Sequence, residues 1–154
     1  MPDCLLCAQT GGVLLWNGSL LRVIDACDPV YPGTTRVVLN RHVAEMTDLG
    51  EADQQRVMRA VLCVERVMRD MLGPDKVNLA ALGNMVAHLH WHVIPRWTDD
   101  PHFPQAIWAA LPEATREALA AQHARRASVN AGLPRFHRAL TDALERTMSG
   151  AVEG

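Results

Sequence analysis

The stretch that decides the fold is His88-Leu89-His90-Trp91-His92-Val93-Ile94-Pro95. Its histidines alternate with apolar residues, and a period of two is typical of a half-buried β-strand. On such a strand the three histidines share one face, with neighbours about 7 Å apart. The opposite face carries Leu89, Trp91 and Val93. The stretch therefore predicts a strand with one polar, proton-handling face and one face in the core.

The residues alone leave three uses of this histidine row open. The row can catalyse, it can bind a metal ion through all three imidazoles, or it can be a solvated sheet face. A solvated face more often carries Thr, Lys or Glu, and Trp91 and Val93 indicate that the other face is buried. The pattern favours catalysis, and the spacing suits a phosphate chain that lies along the row.

Three short strands are predicted before the first long helix. Asn17-Gly18 between two apolar segments is typical of a two-residue hairpin turn, because both residues tolerate positive φ angles. Two prolines exclude a central strand over residues 27–33, which we interpret as a rigid loop. The three strands are Val13–Trp16, Leu20–Asp25 and Thr35–Leu39.

A long amphipathic helix is predicted over Glu51–Leu72. Apolar residues recur there in steps of three and four, and Gly73-Pro74 is a typical helix end. Two strands follow, over Lys76–Leu82 and Ala87–Arg96. Together the elements predict an α+β fold: a mainly antiparallel five-stranded sheet with a long helix.

The C-terminal segment predicts a helical extension. Helical patterns cover Glu113–Ala127 and Pro134–Met148, and turn-forming residues over 130–134 separate them. Pro134 suits the first position of a helix. We therefore expect a domain at residues 1–110 and a helical tail at residues 111–154 that packs on that domain or on a partner chain.

Composition narrows the class of protein. The chain has 154 residues, of which 49% are hydrophobic, and a formal net charge of −2, so we expect one core and no nucleic-acid partner. We find no basic leader and no apolar run long enough to span a bilayer, and we predict a cytoplasmic protein without a membrane partner. Four cysteines in that compartment are expected to be thiols or metal ligands.

Residues 88–94 resemble the signature of the histidine-triad (HIT) superfamily of nucleotide hydrolases and transferases, His-x-His-x-His followed by two apolar residues. The resemblance extends upstream through Asn78, Gly83 and Asn84 and covers roughly the first two thirds of the chain. It implies a HIT-like fold. Trp91 within the signature is similar to a bacterial branch related to diadenosine tetraphosphate hydrolases.

The middle histidine is the candidate nucleophile. An imidazole is nucleophilic at one nitrogen when its other nitrogen keeps the proton. We hypothesise that His90 attacks the α-phosphate of a nucleoside phosphoramidate or dinucleoside polyphosphate and forms a covalent nucleotidyl-histidine, which water then opens. His92 would donate a hydrogen bond to a non-bridging oxygen. The resemblance implies the same roles, and no organic cofactor is expected.

The resemblance also implies the groups that bind the substrate. Asn84 and Gly83 match positions near the phosphates, and Asn78 matches a second polar contact. The acidic group for the ribose hydroxyls is expected near the end of the second strand, where Asp25 is the candidate and Asp28 the alternative.

Two positions depart from the family pattern. Met85 stands where many members have Ser or Thr, so no hydroxyl there can help to protonate the leaving group. Thr34 stands where a further histidine often follows the loop. Both departures support a second hypothesis, a zinc-stabilised nucleotide-binding protein with little turnover.

Cys4 and Cys7 form a candidate metal site. A gap of two residues lets both thiolates bind one tetrahedral ion, although two cysteines without a metal are the simpler alternative. The chain resembles HIT proteins in which a later histidine and the first triad histidine complete a structural zinc site. Those positions here are His42 and His88, which implies that His88 orients the row rather than reacting.

The resemblance implies an assembly as well. Members of the family usually pair two chains so that their sheets run on. The long helix offers a self-complementary surface for such a pair. We therefore expect a homodimer.

Overall fold

The computed structural model describes residues 4–149. Residues 1–3 and 150–154, the ends of the two predicted segments 1–110 and 111–154, lie outside the described residues. In the described part, no helix is both long enough and apolar enough to cross a membrane. The elements are α1 (Leu5–Ala8), β1 (Val13–Asn17), β2 (Leu21–Asp25), β3 (Thr35–Leu39), α2 (Glu51–Leu72), β4 (Lys76–Ala80), β5 (His90–Arg96) and α3 (Arg116–Ser149).

The five strands form one antiparallel sheet in the order β1-β2-β3-β5-β4. This confirms the predicted five-stranded sheet of an α+β fold. In the pairing of β3 with β5, Arg36 lies opposite His92 and Val38 lies opposite His90. Directly paired residues point to the same side, so these four side chains share one face of the sheet.

The other face of the sheet holds the main core. Helices α2 and α3 cover it, and the buried side chains of α3 recur every four residues as one stripe. Each such side chain contributes roughly 1.5–3 kcal/mol on burial, so the stripe fixes α3 firmly on the sheet and on α2. The stripe consists of Phe136, Leu140, Leu144 and Met148.

The C-terminal segment is one helix, which corrects the prediction of two helices over Glu113–Ala127 and Pro134–Met148. Pro134 lies inside α3. An interior proline costs about 3 kcal/mol, because it removes one hydrogen bond and crowds the preceding turn. Val129 and Phe136, on either side of it, are both buried, and seven residues place them on the same helix face. Burial on both sides offsets the cost of the proline.

The turn between β1 and β2 also differs from the prediction. Gly18 does not have the positive φ angle that an Asn-Gly hairpin turn requires, and the loop spans residues 18–20. A Cβ atom on Gly18 would lie 2.3 Å from the ring of Trp16. A side chain at this position would therefore displace the indole of Trp16, which packs on Gly18.

The triad strand is shorter than predicted, because β5 begins at His90 rather than at Ala87. The preceding residues turn away from β4, which ends at Ala80 rather than at Leu82. The backbone N–H of Leu89 donates to the Val43 carbonyl at 2.6 Å, so this residue is tied to the segment after β3. Strand β5 therefore contains only the second and third of the three histidines predicted to form one row. The first, His88, precedes the strand, and its side chain lies against Cys4 and Cys7.

Candidate functional site

His90 is held in a single tautomer at the start of β5. Its Nδ1 lies 2.6 Å from the backbone carbonyl of His88. A carbonyl only accepts hydrogen bonds, so Nδ1 carries the proton and Nε2 carries the lone pair. This is the arrangement that makes one ring nitrogen nucleophilic.

His92 lies beside His90, with the two ring centroids 4.9 Å apart. The pKa of His92 is lowered from 6.5 to about 4. The largest cause is burial, followed by the positive charge of Arg36 and by the neighbouring ring of His90. The ring is therefore neutral at pH 7. A neutral imidazole still has one N–H, which it can donate to a phosphate oxygen.

The two histidines open into a cavity of about 610 Å³, a volume typical of small-molecule sites. Its walls are mostly apolar, and its polar groups are few. The apolar walls come from α1, from the loop after β4 and from the segment after β5, and they include Leu5, Leu6, Leu82, Met85, Val86 and Trp108. The polar lining side chains are Gln9, Arg36, Asn84, His90 and His92.

Two of the predicted substrate-binding residues lie in this cavity. Asn84 and Gly83 both line it. Gly83 has a φ angle of 68°, a left-handed conformation that other residues rarely adopt, so the glycine shapes the loop that presents Asn84. Met85 follows them with 99% of its surface exposed at the same cavity.

The structure does not bring the other two predicted binding residues to the cavity. The amide oxygen of Asn78 accepts a hydrogen bond of 2.8 Å from Arg96, which also pairs with Asp100 at 2.6 Å. Asp25 points to the helix-covered face, where its carboxylate lies 2.9 Å from His137 Nε2 and accepts the backbone N–H of Cys27. Both side chains have structural partners instead, and the expectation of a ribose contact from Asp25 is corrected.

Four side chains converge next to His90 and His92 and can hold a metal ion. They are Cys4, Cys7, His42 and His88, and their ligand atoms all lie within 4.8 Å of one another. Within residues 4–149, no other group of His, Cys, Asp or Glu side chains has this geometry. The alternative of a three-histidine metal site is therefore not formed in the described structure.

The donor set fits a tetrahedral ion such as Zn²⁺. The Nδ1 atom of His88 lies 3.4 Å from the sulfurs of Cys4 and Cys7, and Nδ1 of His42 lies 3.4 Å from the sulfur of Cys7. Zinc bonds of about 2.3 Å to sulfur and about 2.1 Å to nitrogen place tetrahedral ligands about 3.5 Å apart. The three separations of 3.4 Å are close to this value.

The partners of His88 differ from those of His90. His88 is fully buried, and its Nε2 donates to the Leu39 carbonyl at 2.8 Å. This bond leaves the lone pair of Nδ1 directed at the two thiols, as a metal ligand requires. The same residue's own carbonyl accepts the Nδ1 proton of His90. His88 thus fixes the tautomer of His90 through its backbone carbonyl, while its side chain lies within the group of four possible metal ligands.

Several residues that line the cavity were not identified from the sequence, among them Arg36, Gln9 and Trp108. Arg36 had a signal, since it is the one charged residue within the apolar strand Thr35–Leu39. Gln9 and Trp108 gave no signal, because their place depends on how α1 and the segment after β5 fold over the sheet.

Comparison with known proteins defines the class. Residues 13–99 match the HIT domain, so the chain belongs to the HIT family. This confirms the resemblance in the triad stretch.

The relatives point to the same class. An AP-4-A phosphorylase of Mycobacterium tuberculosis is 30% identical over 125 residues, which cover 74% of this chain and 64% of that protein. The chain thus spans less than two thirds of the length of this curated relative. Histidine triad proteins of Bradyrhizobium japonicum and Marinobacter aquaeolei are similar in structure, each with a TM-score of 0.61, at 28% and 30% identity, and each match covers 80% of this chain and 91% of the other. The two solved structures have the name of the histidine-triad family, in agreement with the match to the HIT domain.

Proposed function

We propose that this protein is an enzyme that cleaves nucleotides at the α-phosphate, by hydrolysis or nucleotidyl transfer. The observation that carries the proposal is the hydrogen bond from His90 Nδ1 to the His88 carbonyl, which leaves Nε2 nucleophilic at the wall of a 610 Å³ cavity. The substrate class is a nucleoside phosphoramidate or a dinucleoside polyphosphate. The relative named AP-4-A phosphorylase supports the second of these.

The proposed reaction has two substitutions at phosphorus. In the first, His90 Nε2 forms a bond to the α-phosphorus, and the bond from that phosphorus to the leaving group breaks. The neutral His92 donates its N–H to a non-bridging oxygen, where charge collects in the transition state. In the second, a water oxygen bonds to phosphorus, the P–N bond breaks, and His90 is regenerated as the nucleoside monophosphate leaves.

We propose that Cys4, Cys7, His42 and His88 bind a structural zinc ion. Bound there, zinc would supply a rigid tetrahedral cross-link. It would have no open coordination position for catalysis, because all four ligands come from the protein. The cross-link would join α1 to the start of β5. Because Leu5 and Leu6 of α1 also line the cavity, it would hold one wall of the nucleotide site in place.

A second candidate function is a nucleotide-binding protein with little turnover. Met85 favours it, since this fully exposed thioether lines the cavity and cannot protonate a leaving group. The two candidates share a binding site and differ in whether bonds break.

We further propose a homodimer that acts in the cytoplasm on nucleotides, without a nucleic-acid or membrane partner. Strand β4 lies at the edge of the sheet, and an edge strand offers its free backbone groups to a second chain. The predicted self-complementary surface on α2 is partly occupied, because α3 packs on that helix. Sedimentation at micromolar concentration tests the dimer, and a monomer would refute it. The four thiols suit a reducing compartment.

Release of nucleoside monophosphate tests the proposed function. Native protein and the His90→Asn variant are incubated with a panel of nucleoside phosphoramidates and dinucleoside polyphosphates, and nucleotide affinity is measured in parallel. Release by the native protein alone supports the enzyme, and the best substrate identifies the leaving group. Binding without release by either protein supports the second candidate.

A further inference from the structure

Arg36 is the one cationic side chain among the described residues that line the catalytic cavity. It lies on β3 directly opposite His92, on the same face of the sheet as both catalytic histidines. None of the described residues lining this cavity is acidic. A guanidinium in an apolar, partly closed space raises the local affinity for anions, because little nearby charge neutralises it.

The hydrogen bonds of Arg36 lead to the same conclusion. Its Nε atom is buried, and no hydrogen-bond partner is found for it among residues 4–149. A buried donor without a partner is unfavourable, so such an atom gains when a ligand supplies an acceptor. Two other buried or half-buried arginines have partners: Arg22 donates to backbone carbonyls and Arg96 pairs with Asp100.

We propose that Arg36 binds a second phosphate group, next to the phosphate that His90 attacks. The inference rests on the proposed function and adds to it a second phosphate, which is part of either the leaving group or a co-substrate. A guanidinium presents several N–H donors in one plane and can bind two oxygens of a phosphate at once. The register with His92 places those donors beside the ring that contacts the first phosphate.

The second phosphate has two possible sources. One is the leaving group of a dinucleoside polyphosphate, whose bond to the α-phosphorus breaks when His90 bonds to it. The other is inorganic phosphate, which would replace water in the second substitution: its oxygen bonds to the α-phosphorus, the P–N bond to His90 breaks, and a nucleoside diphosphate leaves. Both present the same anion to the guanidinium.

Comparison of two substrates tests the proposal. Adenosine 5′-phosphoramidate has one phosphate, and diadenosine tetraphosphate has four. In Arg36→Met, we expect kcat/KM for the tetraphosphate to fall about 10- to 100-fold more than kcat/KM for the phosphoramidate, the range of one charge-assisted hydrogen-bonded contact. Arg36→Lys should recover part of this loss. The control is Arg66→Met, which removes an equal charge from the exposed surface of α2 on the opposite face of the sheet.

Added inorganic phosphate separates the two sources. If the leaving group occupies Arg36, the preference for the tetraphosphate is lost in Arg36→Met without any added phosphate. If free phosphate occupies it, native protein forms ADP from the phosphoramidate only with phosphate present, and Arg36→Met forms AMP alone. Equal losses on both substrates with no phosphate-dependent ADP from native protein, or no loss on either substrate with an unchanged yield of ADP, would overturn the proposal.

A binding measurement keeps the test independent of turnover. Inorganic tripolyphosphate is titrated into native protein, Arg36→Met and Arg66→Met by calorimetry, with thermal melting as a check on folding. We expect Arg36→Met to bind tripolyphosphate about 10-fold or more weakly than the other two. If no protein turns over and this difference still appears, the catalytic function fails and the phosphate site stands. Equal binding by all three folded proteins contradicts the site.

Discussion

His88 and His90 are two residues apart, yet their side chains have opposite uses. His88 is fully buried, its Nε2 bonds to the Leu39 carbonyl, and its Nδ1 faces two thiols. His90 is partly exposed, its Nδ1 bonds to a carbonyl, and its Nε2 is left for a ligand. In each ring one backbone carbonyl selects which nitrogen keeps the proton. The comparison teaches that two histidines of one motif can suit different proposed roles, a structural ligand and a nucleophile, because the carbonyls lie on different sides of the rings.

The largest expected effect separates the two histidines directly. His90→Asn should reduce nucleotide turnover by at least about 1000-fold, because it removes the nucleophile, and should leave the melting temperature nearly unchanged. His88→Asn should instead lose the metal and melt at a lower temperature than native protein. Its loss of turnover should be smaller than that of His90→Asn. Rate assays and thermal melts on both variants check this. Equal melting temperatures in native protein and His88→Asn would contradict the structural role of His88.

Loss of the metal cluster is the next effect in size. Cys4→Ser should lower bound zinc from about one ion per chain to well below that, because a hydroxyl is a poor zinc ligand. The melting temperature should fall by at least about 5 °C, as ligand loss costs a few kcal/mol in a chain of this length. Metal analysis and calorimetry measure both. Cys27→Ser is the control, since Cys27 is exposed and outside the cluster. Equal zinc in the two variants would exclude the proposed ligand set.

A smaller effect concerns the pH dependence of stability. The pKa of His92 is lowered to about 4 in the folded protein, so the unfolded chain takes up this proton more readily. The contribution of His92 to the free energy of unfolding is constant above pH 6.5, near the pKa of the unfolded chain. The free energy of unfolding then falls as the pH drops from 6.5 toward 4. The loss should be less than about 2 kcal/mol, because the ring is partly exposed.

Denaturant unfolding of native protein and His92→Gln at pH 7 and pH 4.5 measures the pH-dependent contribution of His92 to stability. Relative to native protein, the free energy of unfolding of His92→Gln should be higher at pH 4.5 than at pH 7, since glutamine does not titrate. Comparison within pairs at each pH cancels protonation of the metal ligands, which affects both proteins alike. A difference that stays constant with pH would contradict the shifted pKa of His92.

The smallest expected effect is at Met85. Because its side chain is almost fully exposed, Met85→Ser should change stability by no more than about 0.5 kcal/mol. A hydroxyl at this cavity can help to protonate an amine leaving group, so turnover of nucleoside phosphoramidates should rise a few-fold. Steady-state kinetics on phosphoramidate substrates measures the gain. A lower rate would show that the thioether itself contributes to binding.

Local patterns predicted most of the fold, while the site needed long-range information. Helix α2 has the predicted bounds, because its apolar period and the following Gly73 are both local signals. The single helix α3 was not predicted, because Pro134 locally indicates a helix boundary. Burial of Phe136 against residues distant in sequence outweighs this local effect. The positions of Asp25 and Asn78 were missed for the same reason. Their partners, His137 and Arg96, are far away in sequence.

The central claim is that Nε2 of His90 becomes bonded to the α-phosphorus, and rapid quenching into alkali tests it most directly. Native protein is mixed with substrate labelled at the α-phosphate, quenched within milliseconds to seconds, and digested for peptide mapping. We predict transient label on the peptide that contains His90, and none in the His90→Asn variant. Turnover without a labelled peptide at any time, or label on another residue, would contradict the claim.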